Sequence, residues 1–361
     1  MKDSELRFNL FRIAALALGL TISATSVHAG DPIPAKQLFG AAKLPTRSDP
    51  ESLGFYAKGC LAGGMAIPAD GPTWQVLHPS RNRRWGNPRM ISLLERLSRE
   101  AHAEDGWNGL LLGDISQPRG GPMLTGHASH QIGLDADIWL TPMPNRRLSY
   151  QERDDFPENS VLRRGTLYVD PNKWTQSHAN LIMRAASYPQ VERVFVHPGI
   201  KKKLCESWEG NRSLLSKVRP IYGHHYHFHI RMKCPPGQAG CEDQVNPPDD
   251  SGCGKPLAEW FDRLKPRPAK KPEKKPVKPT KPTYLTLKSL PNACTAVLNG
   301  RSVTSMAAAE YGAPAHADDV TPVTETAFAS PQTADATAFR AIEDFSDLVP
   351  KGVIPVPAER P

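Results

Sequence analysis

The chain has 361 residues, 39% of them hydrophobic, which is enough for one large domain with a real core. Its 36 prolines are far more than a compact fold of that length uses, so part of the chain lies outside any core. The formal charge of +8 sits unevenly: Lys265 to Lys281 is a Lys-Pro repeat, whereas Ser302 to Pro361 is acidic and rich in Ala, Thr and Pro. That basicity suits an anionic surface such as a cell wall or membrane headgroups, or more plainly a solvated linker, and it gives no reason to expect nucleic acid as a partner.

The first residues carry Lys2, Arg7 and Arg12, then the apolar run Ile13 to Ile22, then Val27-His28-Ala29 with small residues where a signal peptidase reads. Residues 1–29 are expected to be a cleaved secretory signal peptide. An apolar run of about ten residues is too short to be a permanent anchor, and no later segment is apolar enough to span, so no stable membrane span is expected after cleavage. Export places the six cysteines, Cys60, Cys205, Cys234, Cys241, Cys253 and Cys294, where disulfides persist. Three bridges are expected; no Cys-x-x-Cys pair supports a zinc-thiolate site, and spacing alone leaves all 15 pairings open.

Residues 30–264 have mixed composition and periodic segments that predict an α+β domain. Asn87-Pro88 reads as an N-cap and first helical residue, after which Met90, Leu93, Leu94 and Leu97 share one face. Gly109 to Ile115 and Val191 to Val196 read as strands. Asp170-Pro171 is expected to start a second helix with Trp174, His178, Leu181, Ile182 and Ala185 facing inward. Residues 265–283 cannot enter a helix or sheet interior and are expected to be an extended linker. The segment 284–300 carries Cys294, which needs a partner and should bring the chain back to the domain, while 301–361 is expected to be a disordered tail.

Half of the twelve histidines fall in two stretches, Gly126-His127-Ala128-Ser129-His130 running to Asp137, and Gly223-His224-His225-Tyr226-His227-Phe228-His229. Imidazoles and a carboxylate together suit a catalytic zinc with one position left open. As a strand, the second stretch would point His225, His227, His229 and Arg231 one way and Tyr226, Phe228, Ile230 and Met232 into the core. His227 and His229 would then be about 6.6 Å apart on one face. In the first stretch Leu134, Ala136, Ile138 and Leu140 alternate with Asp135, Asp137 and Trp139, which reads as a strand entered through a turn at Gly133. A straight strand would hold His130 about 23 Å from Asp137, so a bend at the glycine is needed to bring the two together.

The pattern Ser129-His130-x-x-Gly133-x-x-x-Asp137 with His227-x-His229 resembles the zinc peptidase superfamily that includes lysostaphin, D-Ala-D-Ala peptidases and the hedgehog domain. Arg83-Arg84-Trp85-Gly86-Asn87-Pro88, Gly126 to Gln131, Cys205, the cluster 224–229, Cys234 and Gly252-Cys253-Gly254 narrow the likeness to the penicillin-insensitive murein endopeptidase family, over roughly residues 55–295. The resemblance implies a single domain, a central antiparallel sheet flanked by helices and stapled by disulfides. It implies His130, Asp137 and His229 as ligands of one zinc ion, His227 as general base, and His224 as the group that polarises the attacked carbonyl or steadies the oxyanion. His127 matches a family histidine near the site, a possible partner of a second metal. The stretch around Gly165-Thr166-Leu167-Tyr168 lacks the other ligands such a metal would need, so a second zinc is not expected.

The resemblance further implies the pairings Cys60–Cys294, Cys205–Cys253 and Cys234–Cys241, a periplasmic location, and peptidoglycan as substrate, cut at the D-alanyl bond to meso-diaminopimelate without sensitivity to β-lactams. The competing expectations are a carboxypeptidase trimming terminal D-alanine and a non-catalytic, zinc-containing wall-binding protein. The sequence leaves a homodimer open, and with it the preference among crosslinks and the purpose of the tail.

Overall fold

The alternation at residues 134–140 and the histidine-rich stretch become adjacent strands at the centre of one sheet. The computed structural model describes residues 32–265 and 284–312. The expected signal peptide, nearly all of the Lys-Pro linker, and the tail beyond residue 312 lie outside the described residues.

In chain order, helix α1 (Ala35–Ala41) precedes strands β1 (Glu51–Phe55), β2 (Lys58–Ala62), β3 (Met65–Ala66), β4 (Asp70–Gly71), β5 (Trp74–Val76) and β6 (Trp85–Gly86). Helix α2 (Pro88–Glu104), strands β7 (Leu110–Leu112) and β8 (Asp135–Trp139), and helices α3 (Tyr150–Asp154) and α4 (Gln176–Ser187) follow. Then come β9 (Val191–Val196), α5 (Pro198–Ser207), β10 (Val218–Pro220), β11 (His227–Met232), α6 (Lys255–Leu264) and α7 (Ala293–Asn299). Among the described residues seven strands form the main sheet in the order β10-β9-β11-β8-β7-β5-β4. The expected antiparallel pairing holds from β9 through β11 and β8 to β7, and a parallel pair adjoins it on each side, β9 with β10 and β7 with β5. Every residue of β8 and of β11 is buried, so both faces of the sheet's centre are covered.

Helix α2 starts where the sequence predicts it: Asn87 Oδ1 accepts from the Arg89 backbone N–H at 3.1 Å, and Pro88 occupies the first turn. Met90, Leu93, Leu94 and Leu97 are all buried in the main core, where truncating one leucine to alanine costs about 2–5 kcal/mol. Helix α4 starts later than predicted. Asp170 instead caps a turn through the Asn172 N–H at 3.0 Å, and helical structure begins after Thr175, whose partner in a reciprocal capping box is His178. His178 is buried, with Nε2 on the Leu140 carbonyl at 3.1 Å.

The cysteines pair as Cys60–Cys294, Cys205–Cys253 and Cys234–Cys241. The first bridge lies inside a second apolar cluster in which Ala35, Phe39 and Leu53 meet Leu290 and Val297, so the segment after the linker is packed as well as tethered. The tail placed at 301–361 does not begin at 301. Ser302 bridges to Thr46, the Tyr311 N–H donates to Ala66 O at 2.9 Å, and Glu310 pairs with Arg84 at 2.9 Å, so residues 301–312 lie on the domain. Alternating patterns and composition carry no sign of such irregular docking.

Candidate metal centre

Antiparallel register sets the site. His229 lies opposite Asp137, Arg231 opposite Asp135 and His227 opposite Trp139, which brings Asp135, Asp137, His227, His229 and Arg231 together across two strands. His130 arrives by the expected bend. Its own backbone is left-handed, at φ 66°, as is that of Gly133, at φ 71°, and the His130 N–H donates to Asp135 Oδ2 at 2.9 Å. A Cβ on Gly133 would come within 2.8 Å of the Asn87 nitrogen and of Leu61, so glycine is needed there for space as well as for conformation.

The surrounding hydrogen bonds fix which imidazole nitrogens keep a lone pair. His130 Nδ1 is 2.8 Å from the Ile115 carbonyl, which can only accept, so Nδ1 carries the proton and Nε2 is left bare. His229 Nε2 is 2.8 Å from Asp135 Oδ1, a carboxylate also held by Arg231 Nε at 2.8 Å, so His229 presents Nδ1. These two nitrogens are 3.1 Å apart, and each faces Asp137 Oδ1, at 3.5 Å from His130 and 3.4 Å from His229. Three donors at about 2.0–2.1 Å from a tetrahedral metal lie about 3.3–3.4 Å from one another, so this triangle has the dimensions of one face of a tetrahedral site. Asp137 Oδ1 is itself buried with no hydrogen-bond partner. A buried, unsatisfied carboxylate oxygen beside two bare imidazole nitrogens is an arrangement that a cation completes.

His127 also reaches this cluster, and His127, His130 and Asp137 have ligand atoms within 4.8 Å of one another. His127 Nε2, however, lies 3.0 Å from Asp114 Oδ2 and 3.5 Å from Asp137 Oδ2, so its nitrogen is already engaged by Asp114. In the set containing His229 both bare imidazole nitrogens are aimed at one oxygen, Asp137 Oδ1.

Burial opposes the charge on Asp137, but the imidazoles of His130, His227 and His127 outweigh it and hold the carboxyl well below its usual range. Burial likewise opposes ionisation of Asp135, and Arg231 and His229 overcome it. His227 Nε2 is 3.7 Å from Asp137 Oδ1, its ring stacks on Trp139 with centroids 5.5 Å apart, and burial lowers its pKa to about 4. His224, whose ring centre is 4.8 Å from that of His227 and 6.0 Å from that of His229, is lowered well below its usual value, first by burial and then by those two rings. Both are neutral at physiological pH and able to accept a proton.

His225 departs from the expected alternation. The strand begins at His227, and the His225 ring faces His197 at 6.2 Å and Tyr226 at 5.2 Å, away from the cluster. Asp135 belongs to no motif legible in the sequence, although alternation places it beside Asp137; nor does Asp114, a lone carboxylate after an apolar strand, which engages His127 and Arg83.

An α+β fold with a buried His-His-Asp cluster that could hold a metal ion, and two neutral imidazoles alongside, fits a hydrolase of the peptidase type. Residues 52–299 match the family model described as penicillin-insensitive murein endopeptidase, and the chain belongs to that family. Relatives bearing that name include one from Haemophilus influenzae, 45% identical over 59% of this chain and 74% of its own length. Another, from Pectobacterium atrosepticum, is 35% identical over 80% of this chain and 96% of its own, and one from Salmonella arizonae is 37% identical over 71% and 88%.

Proposed function

We propose that this chain hydrolyses the peptide crosslinks of peptidoglycan, at the D-alanyl bond to meso-diaminopimelate, with one zinc held by His130 Nε2, His229 Nδ1 and Asp137. The observation that carries the metal assignment is the buried Asp137 Oδ1, without a hydrogen bond and faced by two imidazole nitrogens whose lone pairs are fixed by Ile115 O and Asp135. A zinc ion in such a site supplies Lewis acidity, lowering the pKa of water towards 7 and polarising a carbonyl.

The rest of the reaction falls to the chain. His227, neutral and near Asp137, takes the proton of the attacking water and returns it to the departing amine. His224 would steady the oxygen on which negative charge develops by turning its one N–H, 3.3 Å from the Tyr222 carbonyl here, towards it. His127 stays with Asp114 as a structural neighbour of the ligands. No side-chain nucleophile and no acyl-enzyme take part, so compounds that trap a nucleophilic serine have nothing to acylate.

The expected signal peptide and the murein substrate of the named relatives support action in the periplasm. Among the described residues no helix is long and apolar enough to cross a membrane. A carboxypeptidase would use the same metal chemistry on a terminal D-alanine. Mass spectrometry of digested crosslinked muropeptides separates the two: conversion of dimers to monomers supports the endopeptidase, whereas loss of alanine from intact dimers would replace it with the carboxypeptidase. A purely wall-binding role leaves His224 and His227 without a purpose, and it would be favoured by zinc content with no cleavage of either kind.

A further inference from the structure

We infer that Arg81 forms a carboxylate-binding subsite beside the metal centre and makes the enzyme selective for crosslinks with a free stem-peptide carboxylate near the scissile bond; this rests on the endopeptidase assignment above. A cavity of about 490 Å³ has Asp114, His78, Asn82 and Arg83 in its wall, and Arg81 lies outside its lining, in the turn between His78 and Asn82. Two routes connect it to the centre. Asp114 Oδ2 lies 3.0 Å from His127 Nε2, which is 3.5 Å from Asp137, and the His78 ring lies 5.3 Å from Trp139, which stacks on His227.

Arg83, Arg84 and Arg153 line the cavity, Arg81 lies in the turn that supplies its wall residues Pro79 and Asn82, and their engagement differs. Arg83 donates to Asp114 at 2.8 Å and to Thr125, Arg84 pairs with Glu310, and Arg153 donates to Leu148 O, Ala69 O and Asp70; their side chains are 9%, 15% and 9% exposed. The Arg81 side chain is 43% exposed, and its one hydrogen bond or ion pair among the described residues is a long 3.4 Å to Asp114 Oδ2. The Asp114 charge is already matched at shorter range by Arg83 and His127, so most of the Arg81 fork remains available to a planar, bidentate anion.

The backbone fixes the point from which that fork extends. Arg81 ends the 3-10 turn Pro79–Arg81, flanked by His78 at φ 51° and Asn82 at φ 52°, two non-glycine residues in the left-handed region. His78 Nδ1 is fixed on the Asp154 carbonyl at 2.9 Å and Asn82 Oδ1 accepts from Trp85 Nε1 at 2.8 Å, which locks both ends of the turn. A turn pinned in this way fixes where the Arg81 side chain leaves the backbone, on the Asp114 side of the centre. The chain of contacts from Asp137 through His127 and Asp114 to Arg81, at 3.5, 3.0 and 3.4 Å, is spanned by two or three extended residues at about 3.3 Å each. The carboxylate therefore belongs to the stem peptide close to the bond that is cut.

The test compares full-length enzyme on two substrates: crosslinked muropeptide dimers with free carboxylates, and the same dimers with those groups converted to primary amides. Wild type is expected to prefer the free acids about tenfold in kcat/KM, mainly through KM. In Arg81→Gln that preference should fall to within about twofold of unity with zinc content as in wild type, and Arg81→Lys, which restores charge without the planar fork, should be intermediate. Equal losses of Arg81→Gln on both dimers, or a wild type indifferent to amidation, would overturn the subsite. A wild type that cleaves neither dimer would instead overturn the endopeptidase assignment on which it rests.

Discussion

Asp135 orients His229: the 2.8 Å contact from its Oδ1 to His229 Nε2 turns the other ring nitrogen, Nδ1, towards Asp137 at 3.4 Å. Asp135 also receives the His130 N–H and the Arg231 guanidinium, so one buried carboxylate ties both histidines of the candidate metal set to the sheet. Asp135→Asn should weaken zinc binding about 10–100-fold, because an amide neither enforces the same tautomer nor matches Arg231. Competition with a chelator of known affinity measures this, and an unchanged zinc affinity would remove Asp135 from the account.

His130→Ala and Asp137→Ala should each lose both metal and hydrolysis. His227→Ala, one strand position pair away, should keep the metal and lose about 10²–10⁴ in turnover, the range for a positioned general base. Metal content and muropeptide turnover measured on the same samples distinguish the two classes; loss of zinc from His227→Ala would make it a ligand.

The Cys60–Cys294 bridge joins residues 234 apart in sequence and sits in the apolar cluster that holds the chain's return, whereas Cys234–Cys241 joins residues only 7 apart. Replacing both cysteines of the long bridge by alanine should cost about 2–5 kcal/mol in denaturant unfolding, more than the same change at the short one. Equal costs would show that the second cluster, and not chain closure, dominates there.

Glu192 is 2% exposed, its Oε2 has no hydrogen-bond partner, and burial pushes its carboxyl up to about 7. The fold thus holds a proton that the unfolded chain releases at about 4.3. The stability it contributes is fully present below the unfolded value and is lost as pH rises through 7. Thermal melts of Glu192→Gln between pH 5 and 8 should show a flatter profile than wild type, with the variant gaining relative stability towards pH 8; parallel profiles would mean that Glu192 does not titrate in that window.

Much of the site was legible because it rests on period-two patterning. Asp135 and Asp137 alternate with Ala136 and Ile138, and His227 and His229 with Phe228 and Ile230, so a strand assignment places the polar members on one face. The proposed ligand set rests on a family resemblance over motifs that local physics alone leaves ambiguous. What was not legible depends on tertiary partners. The strand boundary that turns His225 towards His197, the Ile115 carbonyl that sets the His130 tautomer, and the engagement of His127 by Asp114 come from segments distant in sequence. The onset of α4 was misplaced for a local reason: Asp-Pro suits a capped turn as well as a helix start, and the Thr175–His178 capping box decides between them.

Under the proposed function, His130, Asp137 and His229 hold a zinc on which crosslink hydrolysis depends. The most direct test is to strip the purified protein with a chelator, dialyse it thoroughly, and follow cleavage of crosslinked muropeptide dimers as zinc is returned. Activity should be abolished by stripping and restored at one zinc per chain, and His229→Ala should not be restored by the same addition. Full activity in the stripped, metal-free protein would contradict that dependence.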